Sequence, residues 1–344
     1  MSTEQKTPPG AGPNADDTAP LLHVENLVTR FYTEYGVVRA VDGTSLELNA
    51  GETLGVVGES GSGKSVTAFS VMGLIENPGV IESGAIYFKG ENLLTKSHRE
   101  MQRIRGGEIA IVFQDSLSSL NPTMTVGDQI ARVLRYHTSL STRGIRERTV
   151  ELLDQVGIPE PAKRAGNYPH EFSGGMRQRA LIAMAISADP ALLILDEPTT
   201  ALDVTIEAQI FELVERLKER TSMGIILITH DLSVVANACD RVMIMYSGRL
   251  VESGTVKEVF RAPLHPYTKG LMQSIPRIET AGEGDLYSIP GEVPDLISLP
   301  KGCNFQDRCR FARDRCREVD PLLEEIDTGH SAACIFAREI RDVE

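Results

Sequence analysis

The chain has 344 residues, 41% hydrophobic and 24% charged, which excludes wholesale disorder and fibrous structure and leaves room for two or three lobes. Its 48 acidic and 35 basic residues give a net charge of −13, the opposite of what a protein that coats DNA or RNA carries, although totals leave room for a local basic patch. No apolar run approaches the ~20 residues that a membrane helix needs. Residues 1–20 are rich in Pro, Gly and Asp, lack the apolar core of a secretory signal, and read as a disordered tail. A cytosolic protein is expected, with any membrane role supplied through a partner.

Residues 21–48 alternate apolar segments with turn signals at Gly36 and Gly43, and read as strands joined by hairpins. Residues 52–57 form a short apolar strand, followed by a glycine-rich turn and helical spacing over 65–74. Another strand is expected at 108–113. The stretch 125–156 reads as mostly helical, broken at 138–144. A helix at 175–188, a strand at 191–195, a helix at 205–220 and a strand at 225–229 follow. Strands separated by helices imply a parallel sheet with crossover connections. A proline-rich stretch at 262–266 marks a boundary, beyond which the chain is less regular and rich in Gly, Pro and Cys.

The turn after the first short strand, Gly58-Glu59-Ser60-Gly61-Ser62-Gly63-Lys64-Ser65, matches G-x-x-x-x-G-K-[ST] and opens a helix that continues through Val66. Its glycines let backbone N–H groups surround phosphate oxygens, and the helix N-terminus adds positive potential. Lys64 then reaches the β- and γ-phosphates, and the Ser65 hydroxyl ligates Mg²⁺. A glycine turn that binds nothing is the bland alternative, which the strand–helix context disfavours. The apolar run at 191–195 ends in Asp196 and Glu197, suited to Mg²⁺ and to polarising an attacking water. Two more strands end at Gln114 and His230. Ligands of open parallel sheets sit beyond the carboxyl ends of the strands, so these residues are expected to converge.

Ser173, Gly174 and Gly175 open another helix and offer a second anion site away from that edge. A plain helix cap is the alternative. Cys239 stands alone and reads as a small buried hydrophobe. The other four cysteines, Cys303-x5-Cys309-x6-Cys316-x17-Cys334, lack the paired knuckles of zinc ribbons. In a reducing cytosol their clustering points to metal rather than disulfides. Six basic residues, Lys301, Arg308, Arg310, Arg313, Arg315 and Arg317, surround three of them. They could offset a tetrathiolate charge, meet anionic lipid heads or simply form a solvated face.

Together these residues resemble the ATP-binding cassette ATPases. That resemblance implies a P-loop NTPase α/β fold: a mostly parallel sheet core, an antiparallel β subdomain, a helical subdomain at about 115–172, and a small Cys-rich C-terminal domain. The cassette spans 21–262 and the C-terminal domain 263–344. It also implies head-to-tail dimers, with ATP held between the P-loop of one cassette and Ser173–Gly175 of the other. By position, Gln114 senses Mg²⁺ and the permease, Asp203 belongs to the loop after the catalytic strand, and His230 contacts the γ-phosphate. An aromatic near Gly36 stacks on adenine: Tyr35, with Phe31 and Tyr32 as alternatives. Phe172, Met176 and Thr200 depart from the common pattern without removing the Ser173 hydroxyl.

The run from Phe113 to Pro122, His265-Pro266-Tyr267-Thr268 and the cysteine tail resemble the oligopeptide/dipeptide importer branch, over about residues 21–340. This implies an ATPase at the cytoplasmic face of the membrane. Its partners would be a second ATPase (a heterodimer), two permeases and an extracytoplasmic peptide-binding protein, with no nucleic acid. Four thiolates can hold a [4Fe–4S] cluster, which the branch resemblance favours over zinc or free thiols. A nickel importer, a soluble ATPase acting on nucleic acid and a non-catalytic cassette are the other readings. Intact Glu197 and His230 disfavour the last.

Overall fold

The computed structural model describes residues 19–114, 119–199, 203–274 and 287–342. Most of the expected tail, residues 115–118 of the expected helical lobe, and Thr200, Ala201 and Leu202 lie outside the described residues.

Strands β1 (Leu22–Thr33) and β2 (Gly36–Leu48) form the expected hairpin. Gly43 is not a second turn. It lies inside β2 with φ of 78°, opposite a register break between Leu27 and Val28, and so forms a bulge. After β3 (Thr53–Val57), strands β4 (Gly79–Phe88) and β5 (Glu91–Asn92) complete an antiparallel sheet of order β2-β1-β4-β5. The sequence pattern did not single out β4, because Glu82, Ser83 and Gly84 leave its centre exposed and interrupt the apolar alternation.

A second sheet is built from β3 with β6 (Ile109–Val112), β7 (Leu192–Asp196), β8 (Gly224–Thr229), β9 (Arg241–Tyr246), β10 (Arg249–Thr255), β11 (Glu324–Asp327) and β12 (His330–Ala332). Its order is β11-β12-β10-β9-β3-β8-β7-β6, parallel from β9 through β6. Every residue of β3, β7 and β8 is buried, as continuous apolar runs require when both faces are covered. Successive residues serve opposite faces. Leu193 and Leu195 pack under the helices, while Leu192 and Ile194 pack toward the antiparallel sheet.

The broken helical stretch is two helices, Val126–His137 and Thr142–Gln155. Each starts at a hydroxyl cap: Thr125 Oγ1 accepts from Asp128 N–H at 3.1 Å, and Ser141 Oγ from Gly144 N–H at 3.2 Å. Their apolar faces, with Ile130, Leu134, Leu152 and Leu153 at 0% exposure, share one core with helix Gly174–Ala185.

The segment after 262 is more regular than expected and shares the cassette's sheet and core. Strand β12 pairs with β10, and Tyr267 and Phe305 pack with Val57, Val242 and Ile244. A carboxylate pins this junction. Glu252 is fully buried and accepts from Leu264 N–H and His265 N–H, each at 2.8 Å, while its Oε1 lies 2.8 Å from His330 Nε2. A buried carboxylate is tolerable because its lone pairs are taken up in this way. His265 in turn starts helix Pro266–Gln273, its Nδ1 accepting from Tyr267 N–H at 3.1 Å.

Candidate active site

Strand β3 runs into the loop from Gly58 to Gly63 and then into helix Lys64–Val71. Gly63 takes φ of 103°, and a Cβ there would stand 2.3 Å from the Ala40 carbonyl oxygen, so no other residue fits. Lys64 is 5% exposed, and its Nζ spans the loop by donating to the carbonyls of Gly58 at 2.7 Å and Glu59 at 3.0 Å. Burial pulls its pKa down, and Glu197, Asp196 and Glu59 pull it back toward the charged form. Ser62 Oγ is buried without a hydrogen-bond partner.

The carboxyl ends of the neighbouring strands meet this loop. Ser65 Oγ donates to Asp196 Oδ1 at 2.9 Å. Burial raises the Asp196 pKa, opposed by that hydrogen bond. Glu197 takes a left-handed φ of 45°, uncommon for a residue with a side chain, while its N–H donates to Ile228 O at 2.9 Å. Its carboxylate accepts from Gln114 Nε2 at 2.7 Å and lies 3.5 Å from His230 Nδ1. Gln114, Glu197 and His230 therefore share one point, as their positions at strand ends imply.

These groups line a cleft of about 770 Å³. Its polar wall is the run from Ser60 through Val66, with Gln114, Glu197 and His230. Asp196 sits behind Ser65, and Gly58 and Glu59 form the limb of the loop behind that wall. The opposite, apolar wall is Phe31, Val38, Ala40 and Leu296. Tyr35 does not join it. It stands in the two-residue turn between β1 and β2, 81% exposed, where the chain has left the strand that carries Phe31. Tyr32 points elsewhere and donates its hydroxyl to Glu82. Leu296 escaped the sequence reading, since its contact with Arg39 spans 257 residues of chain. It is docked on β2 by a hydrogen bond from Arg39 N–H to the Leu296 carbonyl at 3.2 Å.

Ser173, Gly174, Gly175 and Asp203 line no part of this cleft. Exposed Ser173 caps helix Gly174–Ala185, its Oγ accepting from Met176 N–H at 3.3 Å. Exposed Asp203 caps helix Val204–Thr221 through Ile206 N–H at 3.0 Å. The two caps adjoin, because a Cβ on Gly175 would come 2.8 Å from Ile206 Cγ2. Phe172 is 3% exposed and fills the core under this cap.

Cys303, Cys309, Cys316 and Cys334 line one small apolar pocket with Phe305, Phe311 and Phe336. None of the five cysteines is in a disulfide. Burial pushes the thiols of Cys303, Cys309 and Cys334 up to about 11. Among the described residues, no group of three or more His, Cys, Asp or Glu side chains is arranged to hold a metal ion. The four sulfurs thus share a pocket without standing in ligand geometry. Cys239 packs against Gly55 in the core, its thiol pushed up to about 12 by burial. No described helix is long and apolar enough to cross a membrane.

The ABC transporter profile matches residues 41–200, and that of the oligopeptide/dipeptide transporter C-terminal region matches residues 251–316. The oligopeptide transport ATP-binding protein OppD of Haemophilus influenzae is 50% identical over 320 residues, covering 93% of this chain and 98% of that protein. Its counterpart in Bacillus subtilis is 52% identical over 311 residues (90% and 87%). That of Escherichia coli is 49% identical over 331 residues (96% of each). Among solved structures, the dimeric bacterial ABC transporter cassette MJ0796 superposes with a TM-score of 0.62 at 26% identity, covering 68% of this chain and 98% of that one. The same cassette in a post-hydrolysis state with ADP and Pi matches equally, with a TM-score of 0.62 at 25% identity, covering 68% and 98%. With the P-loop, the carboxylate pair and the C-terminal region all matched, the chain belongs to the oligopeptide transport ATP-binding proteins of the ABC transporter family.

Proposed function

We propose that this chain hydrolyses ATP to energise a membrane importer of oligopeptides or dipeptides, working peripherally at the cytoplasmic face. One observation carries the reading. The P-loop, Gln114, Glu197 and His230 share a single cleft with Asp196 behind Ser65, while Ser173–Gly175 lie outside it. A cleft built this way is completed by the cap of a second ATPase subunit, and we assign a heterodimer. The chain works as a cassette, 21–262, with a C-terminal region, 263–344. The other partners are two permeases and an extracytoplasmic peptide-binding protein. A nickel importer and a nucleic-acid ATPase give way to the peptide reading, because the matched relatives are oligopeptide transport proteins.

The backbone from Ser60 to Ser65 wraps the phosphates, and Lys64 moves from the loop carbonyls toward the β- and γ-oxygens. Phe31, with Val38 and Ala40 beside it, takes the adenine in place of Tyr35. Ser65, Asp196 and Gln114 would hold Mg²⁺, which would supply charge neutralisation at the phosphates. The Ser65–Asp196 pair fits this use, since hydroxyl and carboxylate oxygens are hard ligands. Glu197 orients and polarises the attacking water, and His230 and Gln114 hold Glu197 in place until the γ-phosphate arrives. Rate enhancement comes from positioning and charge stabilisation rather than a covalent intermediate.

We assign Cys303, Cys309, Cys316 and Cys334 as the ligands of a [4Fe–4S] cluster. What supports this is four soft donors around one apolar pocket, and binding requires the thiols to ionise and draw together. The cluster is a structural clip with no part in hydrolysis. Anaerobic protein should contain iron and sulfide in near-equal amounts, and stoichiometric zinc without iron rejects the assignment. The transport reading is tested by reconstituting the chain with its permeases and binding protein in vesicles. ATP hydrolysis should rise on adding peptide, and a rate indifferent to peptide rejects it.

A further inference from the structure

The C-terminal region reaches the P-loop itself. Arg308 is 5% exposed, and its guanidinium forms a two-pronged ion pair with Glu59, Nη1 to Oε2 at 2.7 Å and Nη2 to Oε1 at 3.0 Å. Its Nε donates to the Pro290 carbonyl at 3.1 Å. The planar fork therefore sits in a built socket, against the adjoining rings of Tyr246 and Phe305.

Glu59 is gripped at two further points. Its N–H donates to the hydroxyl of Tyr267 at 2.9 Å, and Tyr267 is fully buried against Tyr246 and Phe305. Its carbonyl accepts from Lys64 Nζ at 3.0 Å. An ion pair that only docked the C-terminal region could use any surface acid. This one uses the residue whose own carbonyl holds the P-loop lysine.

We propose that Arg308, with Tyr267, is a positioning residue that braces the outer limb of the P-loop and so holds Lys64 ready for nucleotide phosphates. The C-terminal region is then part of the ATP site. The proposal rests on the ATPase reading above. Without the brace, Glu59 is free to swing, the loop must be ordered at the moment of binding, and that ordering is subtracted from affinity.

The test is a double-substitution cycle on the full chain, reading MgATP affinity by calorimetry well below the melting temperature. Arg308→Met and Glu59→Gln should each weaken binding about tenfold, or ~1.4 kcal/mol. Together they should still cost about tenfold, because one pair is removed in either case. Arg308→Lys, which keeps the charge but not the fork, should fall between Met and the unaltered chain. Tyr267→Phe keeps the ring, removes only the acceptor and should cost about threefold. A merely structural role would lower the melting temperature and leave these affinities alone. Losses under twofold, or a double variant weakened about a hundredfold, would overturn the brace. Should Arg308→Met fail to fold, Glu59→Gln, at a partly exposed position, decides the matter alone by the same twofold threshold. An unaltered chain that binds no MgATP would overturn the ATPase reading and the brace together.

Discussion

Replacing Glu197 with Gln separates chemistry from architecture at one atom. The side chains are isosteric, so no cavity forms. The left-handed backbone at 197 is equally available to both. A glutamine oxygen still accepts from Gln114 Nε2, now at 2.7 Å. Stability should change by less than ~0.5 kcal/mol, as for a substitution that removes no buried partner. What disappears is the carboxylate to which we assign polarisation of the attacking water. A positioned general base contributes roughly 10²–10⁴-fold, so turnover should fall by about that factor, ~2.7–5.5 kcal/mol of barrier. MgATP affinity should hold or improve, because a negative charge beside the γ-phosphate is removed while the Lys64 cradle is untouched. Phosphate release and nucleotide binding would be measured in parallel, with gel filtration to detect an ATP-stabilised dimer. Turnover within tenfold of the unaltered chain would refute Glu197 as the base, and a matching loss of binding would show damage to the site instead.

Ser173→Arg fills the cap of helix Gly174–Ala185 with a long cation. In mixed dimers with one altered subunit, hydrolysis at the partner's P-loop should fall while the altered chain's own P-loop still turns over; a defect confined to the altered chain counts against head-to-tail pairing. Phe31→Ala should weaken MgATP by about tenfold, in line with ~1–3 kcal/mol for base–aromatic stacking, whereas Tyr35→Ala should change it less than twofold; the reverse order restores Tyr35 as the adenine platform. His265 makes stability pH-dependent. Complete burial pushes its pKa from 6.5 down to about 3, so below pH ~6.5 only the unfolded chain takes the proton. Stability is therefore full above that pH and falls by up to ~1.4 kcal/mol per unit on acidification toward pH 3. Urea midpoints at pH 7 and 5 should show this slope, and His265→Asn should flatten it; an unchanged slope removes His265 as its source.

The local chemistry of this site was legible in the sequence, because each part of it is a short-range pattern. A glycine loop between a strand and a helix turns its backbone N–H groups toward one point, and an apolar strand ending in Asp196 and Glu197 delivers both carboxylates to the sheet edge. Continuous apolar runs of about five residues announced buried parallel strands. The hairpin of β9 and β10 was equally local, with Ser247 and Gly248 at φ of 47° and 81°, yet its two-residue turn was passed over. Only the tertiary structure put Phe31 rather than Tyr35 on the cleft wall, since Tyr35 falls in the hairpin turn, beyond the end of β1. It alone brought Leu296 to the apolar wall of the cleft and Arg308 to Glu59, 249 residues away along the chain. Such pairings leave no periodic trace, because they depend on how β10, β12 and the buried Glu252 fold the C-terminal region back onto the cassette.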